Sequence, residues 1–389
     1  MITGFAVFYA VCAFILVLIA LGSEHRQASA DDSYRDKTPD SKPGEVACHM
    51  GDLFAASIGI SILNLCDLDL SSKTFYAEGM SWLKYKELPG WLDHWDTDVI
   101  ECPVRALRFV NNVNRHDLQL ELEPSRPVVD SDGYHIQWLK FSGRFVANEL
   151  DLRRFPFETI RLPIEIELED MYASETSLRF EPSGSLVATG GNLTGYKLRR
   201  SGVEQSIHSY RTNWGWQLAV DCNGGEDLAE FDNIKAIVEY TRSTRSSLIG
   251  IFLPLAVIIA VALSVPLIDI QQHENRVVIP ASVLLVLVFL QDGYKKILPA
   301  GLSYPTLADL AYASCFVLTI GTFVFGLASA NLYLSSGAAG QGLINSINSV
   351  SKTVFTLNLC FLVVSLSSIL IATGRSFSLF RAGKFKRDK

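Results

Sequence analysis

Charge is scarce over the last third of this sequence. Between residues 248 and 374 the only Asp, Glu, Lys or Arg side chains are Asp269, Glu274, Arg276, Asp292, Lys295, Lys296, Asp309 and Lys352, and all stand at or near the ends of apolar runs. A charge at mid-bilayer costs about 3 kcal/mol on insertion scales, so these residues mark where membrane helices stop. With about 20 mostly apolar residues needed per span, the pattern predicts four helices, near 248–268, 276–297, 305–333 and 353–373. Sequence signatures of catalysis are missing as well: there is no Gly-Xaa-Ser-Xaa-Gly elbow, no His-Glu-Xaa-Xaa-His and no phosphate loop. An exported hydrolase with a membrane tail therefore has little support, and the expectation is a protein that is not an enzyme, with no catalytic residues and no cofactor. Cysteine is sparse too, at 7 residues. No two cysteines outside the apolar runs stand close enough for a zinc or redox motif, so no metal site is expected.

What is present is a hybrid. At 49% hydrophobic over 389 residues the chain is too apolar for an ordinary soluble enzyme, yet only its last third is continuously so. An apolar run over residues 2–21 is followed by polar residues and by Ala28-Ser29-Ala30, a pattern suited to signal peptidase. Residues 1–30 therefore read as a cleaved export signal or an uncleaved N-terminal anchor, and either way the next segment is exported. Residues 31–52 form a polar linker, 53–245 a strand-rich exported domain, 246–374 the four-helix membrane domain and 375–389 a basic tail. Cys48, Cys66, Cys102 and Cys222 share the exported half, where disulfides persist, and every pairing among them stays open.

The exported half reads as strands. Residues 57–65 and 74–82 are short β-prone runs and 135–146 alternates in part. Residues 160–168 place Ile160, Leu162, Ile164, Ile166 and Leu168 on one face with charges opposite, the period of a half-buried strand. Residues 233–240 close the domain in the same way, and turn clusters such as Asp130-Ser131-Asp132-Gly133 and Asn223-Gly224-Gly225 separate the runs. The simplest architecture is an antiparallel, immunoglobulin-like β-sandwich of about 200 residues. The fold class is thus an all-β extracellular sandwich followed by an all-α four-helix transmembrane domain.

Several motifs fall within this frame. Ala106-Leu107-Arg108-Phe109-Val110-Asn111 comes first, then Phe155-Pro156-Phe157-Glu158 ahead of the alternating strand. Arg242 precedes the first membrane helix, which carries Phe252-Leu253-Pro254-Leu255; Glu274-Asn275-Arg276 opens the second; Leu298-Pro299, with Tyr304 and Asp309, joins the second to the third. In this order, from about residue 53 to residue 373, the chain resembles the pentameric ligand-gated ion channels, prokaryotic members in particular. It departs from them in places. Asn148 and Leu162 stand where cysteines close the family's disulfide loop, Glu158 replaces the usual aspartate, and Cys102 lies near where a tryptophan is common. The loop between the second and third helices is slightly long, and residues 333–351 are too few for the large intracellular domain of animal receptors.

The resemblance implies a homopentamer assembled as a ring in the lipid bilayer of the cell (inner) membrane, with the β-domain extracellular or periplasmic. It implies a small-molecule agonist as the stimulus and no nucleic-acid partner; protons are the alternative stimulus, from the exported histidines, and monovalent cations the expected permeant ions, from Glu274. Phe155, Pro156, Phe157 and Glu158 would press on the loop containing Pro299 and Tyr304, with Arg242 available to pair with Glu158 or another acid, and so transmit gating. Phe109, Tyr172, Trp214 and Trp216 would line a ligand site between subunits through their π faces, although aromatics fill sandwich cores so often that the core is the favoured place for each. His116, His135 and His208 are candidates for proton sensing. The family's outside placement of the C-terminus runs against the basic tail, which the positive-inside tendency would hold in the cytoplasm.

A channel also needs one helix per subunit to face a shared aqueous axis. Glu274, Val278, Ser282, Leu285, Phe289, Asp292 and Lys296 recur at three- and four-residue steps and supply a mixed, sparsely polar face. In a ring, Val278, Leu285 and Phe289 would form apolar constrictions, Ser282 a polar ring and Glu274 a ring of carboxylates favouring cations. Arg276, which could pair with Glu274, and the outer Lys296 work against that preference. Pro280 is expected near the first turn of this helix, off the pore face. The rival reading is a membrane-anchored exported β-sandwich that binds a ligand or partner without conducting ions.

Overall fold

A computed structural model describes residues 54–88, 103–123, 126–169, 171–173, 176–182, 185–188, 193–210, 229–336 and 341–382. The described residues fall into two compact units. One takes those within Asp36–Leu150 and Thr159–Arg242; the other takes Asp151–Glu158 and those within Ser243–Lys389.

The first unit is built of strands. In chain order these are β1 (Phe54–Asp69), β2 (Thr74–Tyr85), β3 (Leu107–Phe109), β4 (Gln119–Leu122), β5 (Val128–Val129), β6 (His135–Val146), β7 (Thr159–Leu168), β8 (Thr176–Phe180), β9 (Tyr196–Tyr210) and β10 (Ala229–Arg242). They form two sheets, ordered β4-β6-β2-β1-β8, with β5 on β6, and β3-β7-β10-β9. The arrangement is sandwich-like but not wholly antiparallel, because β8 runs parallel to β1, pairing Phe54 with Thr176 through Ile58 with Phe180.

Period-two burial explains the second sheet. Ile160, Leu162, Ile164 and Ile166 on β7 are fully buried, and they stand opposite Tyr240, Val238, Ala236 and Ile234 on β10. Such cross-strand apolar pairs are the unit of sheet stabilisation. In the first sheet Gly59 lets the Trp82 ring lie across β1, since a Cβ at Gly59 would come within 1.9 Å of that ring. Aromatic packing fills the interior: the Phe109 ring lies 4.8 Å from Phe141 and 6.0 Å from Phe145. Asn111, buried, stitches the sheets together by donating to the carbonyls of Val146 and Pro163 and accepting from the Glu165 amide.

The second unit holds four helices: α1 (Thr244–Leu267), α2 (His273–Lys295), α3 (Leu307–Ser335) and α4 (Gln341–Ala382). All four are long and apolar enough to cross a membrane, α4 through its Gln341–Ser367 portion. Helix α1 is wound more widely over Leu248–Phe252 and resumes normal winding at Leu253, which places Pro254 in a first turn where its missing N–H costs little. The innermost helix is α3, with 61% of its apolar window buried against 22% for α2. Its Ser314, Thr319 and Thr322 hydroxyls donate back to their own helix carbonyls, and Asn358 of α4 donates to Thr322 Oγ1 at 3.2 Å. Helix α4 starts at Gln341, well before residue 353. Its first turns are amphipathic rather than uniformly apolar, and they are held by Ile344 and Ile347 packing with Ile270, Tyr333 and Leu343.

Helix α2 begins at His273, so Pro280 lies beyond its first turn, inside the helix and buried. The expectation of a first-turn proline is corrected accordingly. Proline has no N–H to offer the carbonyl four residues back, here that of Arg276, and this carbonyl meets α3 instead. A Cβ built at Gly326 would stand 2.3 Å from Arg276 O, so the two backbones touch at this point.

Cys66 on β1 carries a free thiol. Cys48, Cys102 and Cys222, the N-terminal signal and linker, and the end of the basic tail lie outside the described residues.

Candidate functional site

The two faces of α2 differ sharply. One stripe is buried: Arg276, Pro280, Val283, Leu287 and Tyr294. The other is open, with Val278 and Leu285 each 59% exposed and Phe289 66% exposed, and Glu274, Ser282, Asp292 and Lys296 on the same side also exposed. Every residue expected on the mixed face is therefore on the side that the rest of the helical unit leaves uncovered. The polar members are internally settled. Ser282 donates its hydroxyl proton to Val278 O at 3.0 Å, leaving its lone pairs outward, and Lys296 pairs with Asp292 at 2.8 Å.

Arg276 turns the opposite way from Glu274. Its guanidinium, 1% exposed, donates through Nε to Ile268 O at 2.8 Å, through another nitrogen to Ser351 Oγ at 3.0 Å, and to Asn348 Oδ1 at 3.3 Å. A buried cation stabilises only when its donors are satisfied, and these acceptors lock the start of α2 to the start of α4.

A second constellation forms where Asp151–Glu158 meets the helices. An α-helix leaves its first four N–H groups without helical partners, and in α3 all four are accounted for. Leu307 N donates to Arg153 O at 2.8 Å and Ala308 N to Phe155 O at 3.1 Å. Asp309 N donates to Thr306 Oγ1 at 3.2 Å, and the N-cap amide of Thr306 donates to Asp309 Oδ2 at 2.9 Å. The Phe-Pro-Phe loop is thus part of the cap of α3. Side chains extend the hold. Phe157 stacks on Phe252 of α1 at 5.6 Å and packs against Leu307 and Leu310, Phe155 stacks on Tyr294 of α2 at 6.3 Å, and Ser247 donates to Pro156 O at 2.7 Å. The Leu152 amide donates to the Tyr304 hydroxyl at 3.2 Å, with the Arg153 guanidinium 4.8 Å over that ring. The Phe155-Pro156 peptide is cis, Glu158 is fully buried, and Pro299 is buried. Of the expected coupling residues, Phe155, Pro156 and Phe157 thus meet the helices directly, and Tyr304 meets the loop through Leu152 and Arg153. Arg242, at the end of β10, lies 5.5 Å over the Tyr196 ring of β9.

Asp309 is the hinge pin of this group. Its Oδ2 accepts from the Thr306 amide and hydroxyl at 2.9 and 2.8 Å, while Oδ1 takes the Tyr294 hydroxyl of α2 at 2.5 Å. Asp309→Ala removes the reciprocal cap and strands a buried phenol, each worth about 1 kcal/mol or more. Thermal unfolding in detergent should show a loss of about 2 kcal/mol, with Asp309→Asn retaining part of it. An unchanged midpoint would mean the pin carries no load.

The expected ligand aromatics divide. Phe109 is 5% exposed and packs in the sandwich core with Phe141 and Phe145, so its ring is a core ring in this chain. Tyr172 is half-buried and pairs with Phe231 of β10 at 5.3 Å. Trp214 and Trp216 lie outside the described residues. Around Tyr172 the sequence left Glu167, Tyr210 and Phe231 unremarked. Phe231 contacts Tyr210 at 5.7 Å, Tyr210 contacts His208 at 4.2 Å, and buried Glu167 accepts from both. A carboxylate on a strand reads as one more solvent-facing charge; only the pairing of β7, β10 and β9 brings donors to it.

By helix length and composition the chain is a multi-pass membrane protein whose four spans follow a sandwich-like β region. Set against known proteins, its sequence matches no family model and no curated protein.

Proposed function

We propose that this protein is a homopentameric ligand-gated ion channel of the cell (inner) membrane, selective for monovalent cations, with its β region extracellular or periplasmic. The observation that carries the reading is the open face of α2. The uncovered side of this membrane helix carries Ser282 between Glu274 at one end and Asp292 and Lys296 at the other, a mixed face that suits water or another protein surface better than lipid. A ring of copies around a shared axis supplies water to one side of α2 and neighbouring subunits to its flanks. Val278, Leu285 and Phe289 then become apolar constrictions that dewet when closed, and Glu274 a carboxylate ring at one mouth. Cation preference is supported by two pairings that answer the opposing charges: Arg276 is engaged by Ile268, Ser351 and Asn348, and Lys296 by Asp292.

Gating in this reading passes from the sandwich through the loop Asp151–Glu158, whose carbonyls cap α3 and whose Phe155 ring touches Tyr294 of α2. An agonist or proton acts on the β region, with Tyr172 and its aromatic neighbours as its surroundings.

Stoichiometry tests the reading first. Native mass spectrometry in gentle detergent should give a pentamer, and a monomer would favour the non-conducting binding protein. Selectivity tests it next. Under a potassium chloride gradient, currents should reverse near the potassium potential, and Glu274→Lys should move the reversal toward the chloride potential by tens of millivolts, on the order of a tenfold change in permeability ratio. A reversal that already follows chloride in the unmodified protein would remove the cation assignment.

A further inference from the structure

The outer face of the second sheet carries a polar junction that spans three strands. Glu167 on β7 is 2% exposed, and its carboxylate is met by His208 Nδ1 of β9 at 2.6 Å, by the Tyr210 hydroxyl of β9 at 3.1 Å and by Asn233 Nδ2 of β10 at 2.9 Å. Because β10 lies between β7 and β9, the His208 and Tyr210 bonds reach across it and fasten the end of β9 to a strand it does not pair with. Strand β9 needs such a fastening. It is the edge strand of its sheet and no residue of it is buried, so little apolar packing holds it down.

We propose that His208 and Glu167 form a proton-operated latch, tight when the imidazole is protonated and loosened when it is neutral, which sets how firmly the end of β9 is held to the sheet. A protonated imidazole gives a charge-assisted hydrogen bond to a buried carboxylate, about twice as strong as a neutral one, and adds its counter-charge to that of Arg108, which stands opposite Glu167 on β3.

The electrostatic surroundings agree with the geometry. The hydrogen bond that the imidazole gives to Glu167 is the largest influence raising His208 above its ordinary 6.5, with burial opposing it. On β7 Glu165 also favours the imidazolium, and on β10 Lys235 disfavours it. On β9 the neighbouring Tyr210 phenol is pushed up to about 12, chiefly by burial and by Glu167, against Arg108 of β3, so it stays neutral and donating throughout. Since the folded-state value is raised, the latch is fully charged below pH 6.5 and gives up its charge as pH rises through the higher folded value.

Hydrogen exchange on the full chain in detergent tests this. After correction for intrinsic exchange, the β9 amides near His208 should be about fivefold better protected at acid than at alkaline pH, the margin between a charge-assisted and a neutral hydrogen bond. His208→Gln and Glu167→Gln should flatten that step, and His116→Gln, in an exposed turn, should keep it. A wild-type profile without the step, or a step that survives both substitutions, overturns the latch. If the variants do not fold, the wild-type and His116→Gln profiles still decide. Only the consequence that pH would tune the channel's response rests on the proposed function. A protein that shows the step yet never conducts keeps the latch and loses the channel.

Discussion

Gly326→Ala is expected to cripple the helical unit. The added methyl would stand 2.3 Å from Arg276 O and 3.0 Å from its carbonyl carbon, and the obstacle is backbone, which cannot rotate out of the way. Arg276 is itself pinned by its bonds to Ile268, Ser351 and Asn348, so relief requires α2 and α3 to separate and the locked end of α4 to move with them. Overpacking of a site that cannot yield costs about 3 kcal/mol, which for a chain of 389 residues lowers the thermal midpoint by roughly 4 °C. Gly342→Ala is the matched control. It lies in helical backbone in the first turn of α4 with open space around its Cβ position, so the substitution should be neutral or stabilise by up to about 1 kcal/mol. Equal midpoints for the two variants would mean that the close approach of α2 and α3 does not hold in the protein.

That contact also marks the limit of what could be read before the structure. Proline inside the second apolar run was visible as an oddity, and glycine at position 326 was one apolar-helix residue among many. Their relation is spatial: the carbonyl that Pro280 leaves without a helical partner is the one that Gly326 admits. Charge placement located all four spans because a membrane penalises charge at any point along the helix. The start of α4 escaped for the converse reason. Gln341, Asn345 and Asn348 interrupt the apolar run, yet Ile344 and Ile347 bury one face outside any uniformly apolar stretch.

Among the strands, β7 and β10 were legible because period-two alternation with one buried face is a strong signal. Strand β9 was not, since a mostly exposed edge strand shows no alternation and is held by ladder bonds to β10 along Tyr196–Tyr210. The functional readings divide in the same way. The exposed stripe of α2 followed from helical periodicity alone. The caps that the Arg153 and Phe155 carbonyls place on α3 could not be foreseen, because main-chain acceptors leave no trace in side-chain identity. Phe109 shows the opposite hazard: a motif drew attention to an aromatic whose ring is in the core.

Leu285→Thr is expected to conduct without an agonist. Leu285 sits at the middle of the open stripe of α2, 59% exposed, one turn from Ser282 and from Phe289. In the proposed pentamer its copies close the axis by excluding water, and each leucine holds the closed state by on the order of 1 kcal/mol of apolar association. Threonine carries a hydroxyl into that ring and lets it wet. Symmetry multiplies the loss by the number of subunits, so the closed state should lose several kcal/mol and the open population should rise by orders of magnitude. Planar-bilayer recordings under a potassium chloride gradient should then show steady currents reversing near the potassium potential, with no ligand added. The rival binding protein predicts nothing of the kind, because an exposed Leu→Thr change on an unassembled helix opens no path. Silence from Leu285→Thr in preparations verified as pentamers would therefore count against conduction itself, separately from any failure to find the stimulus.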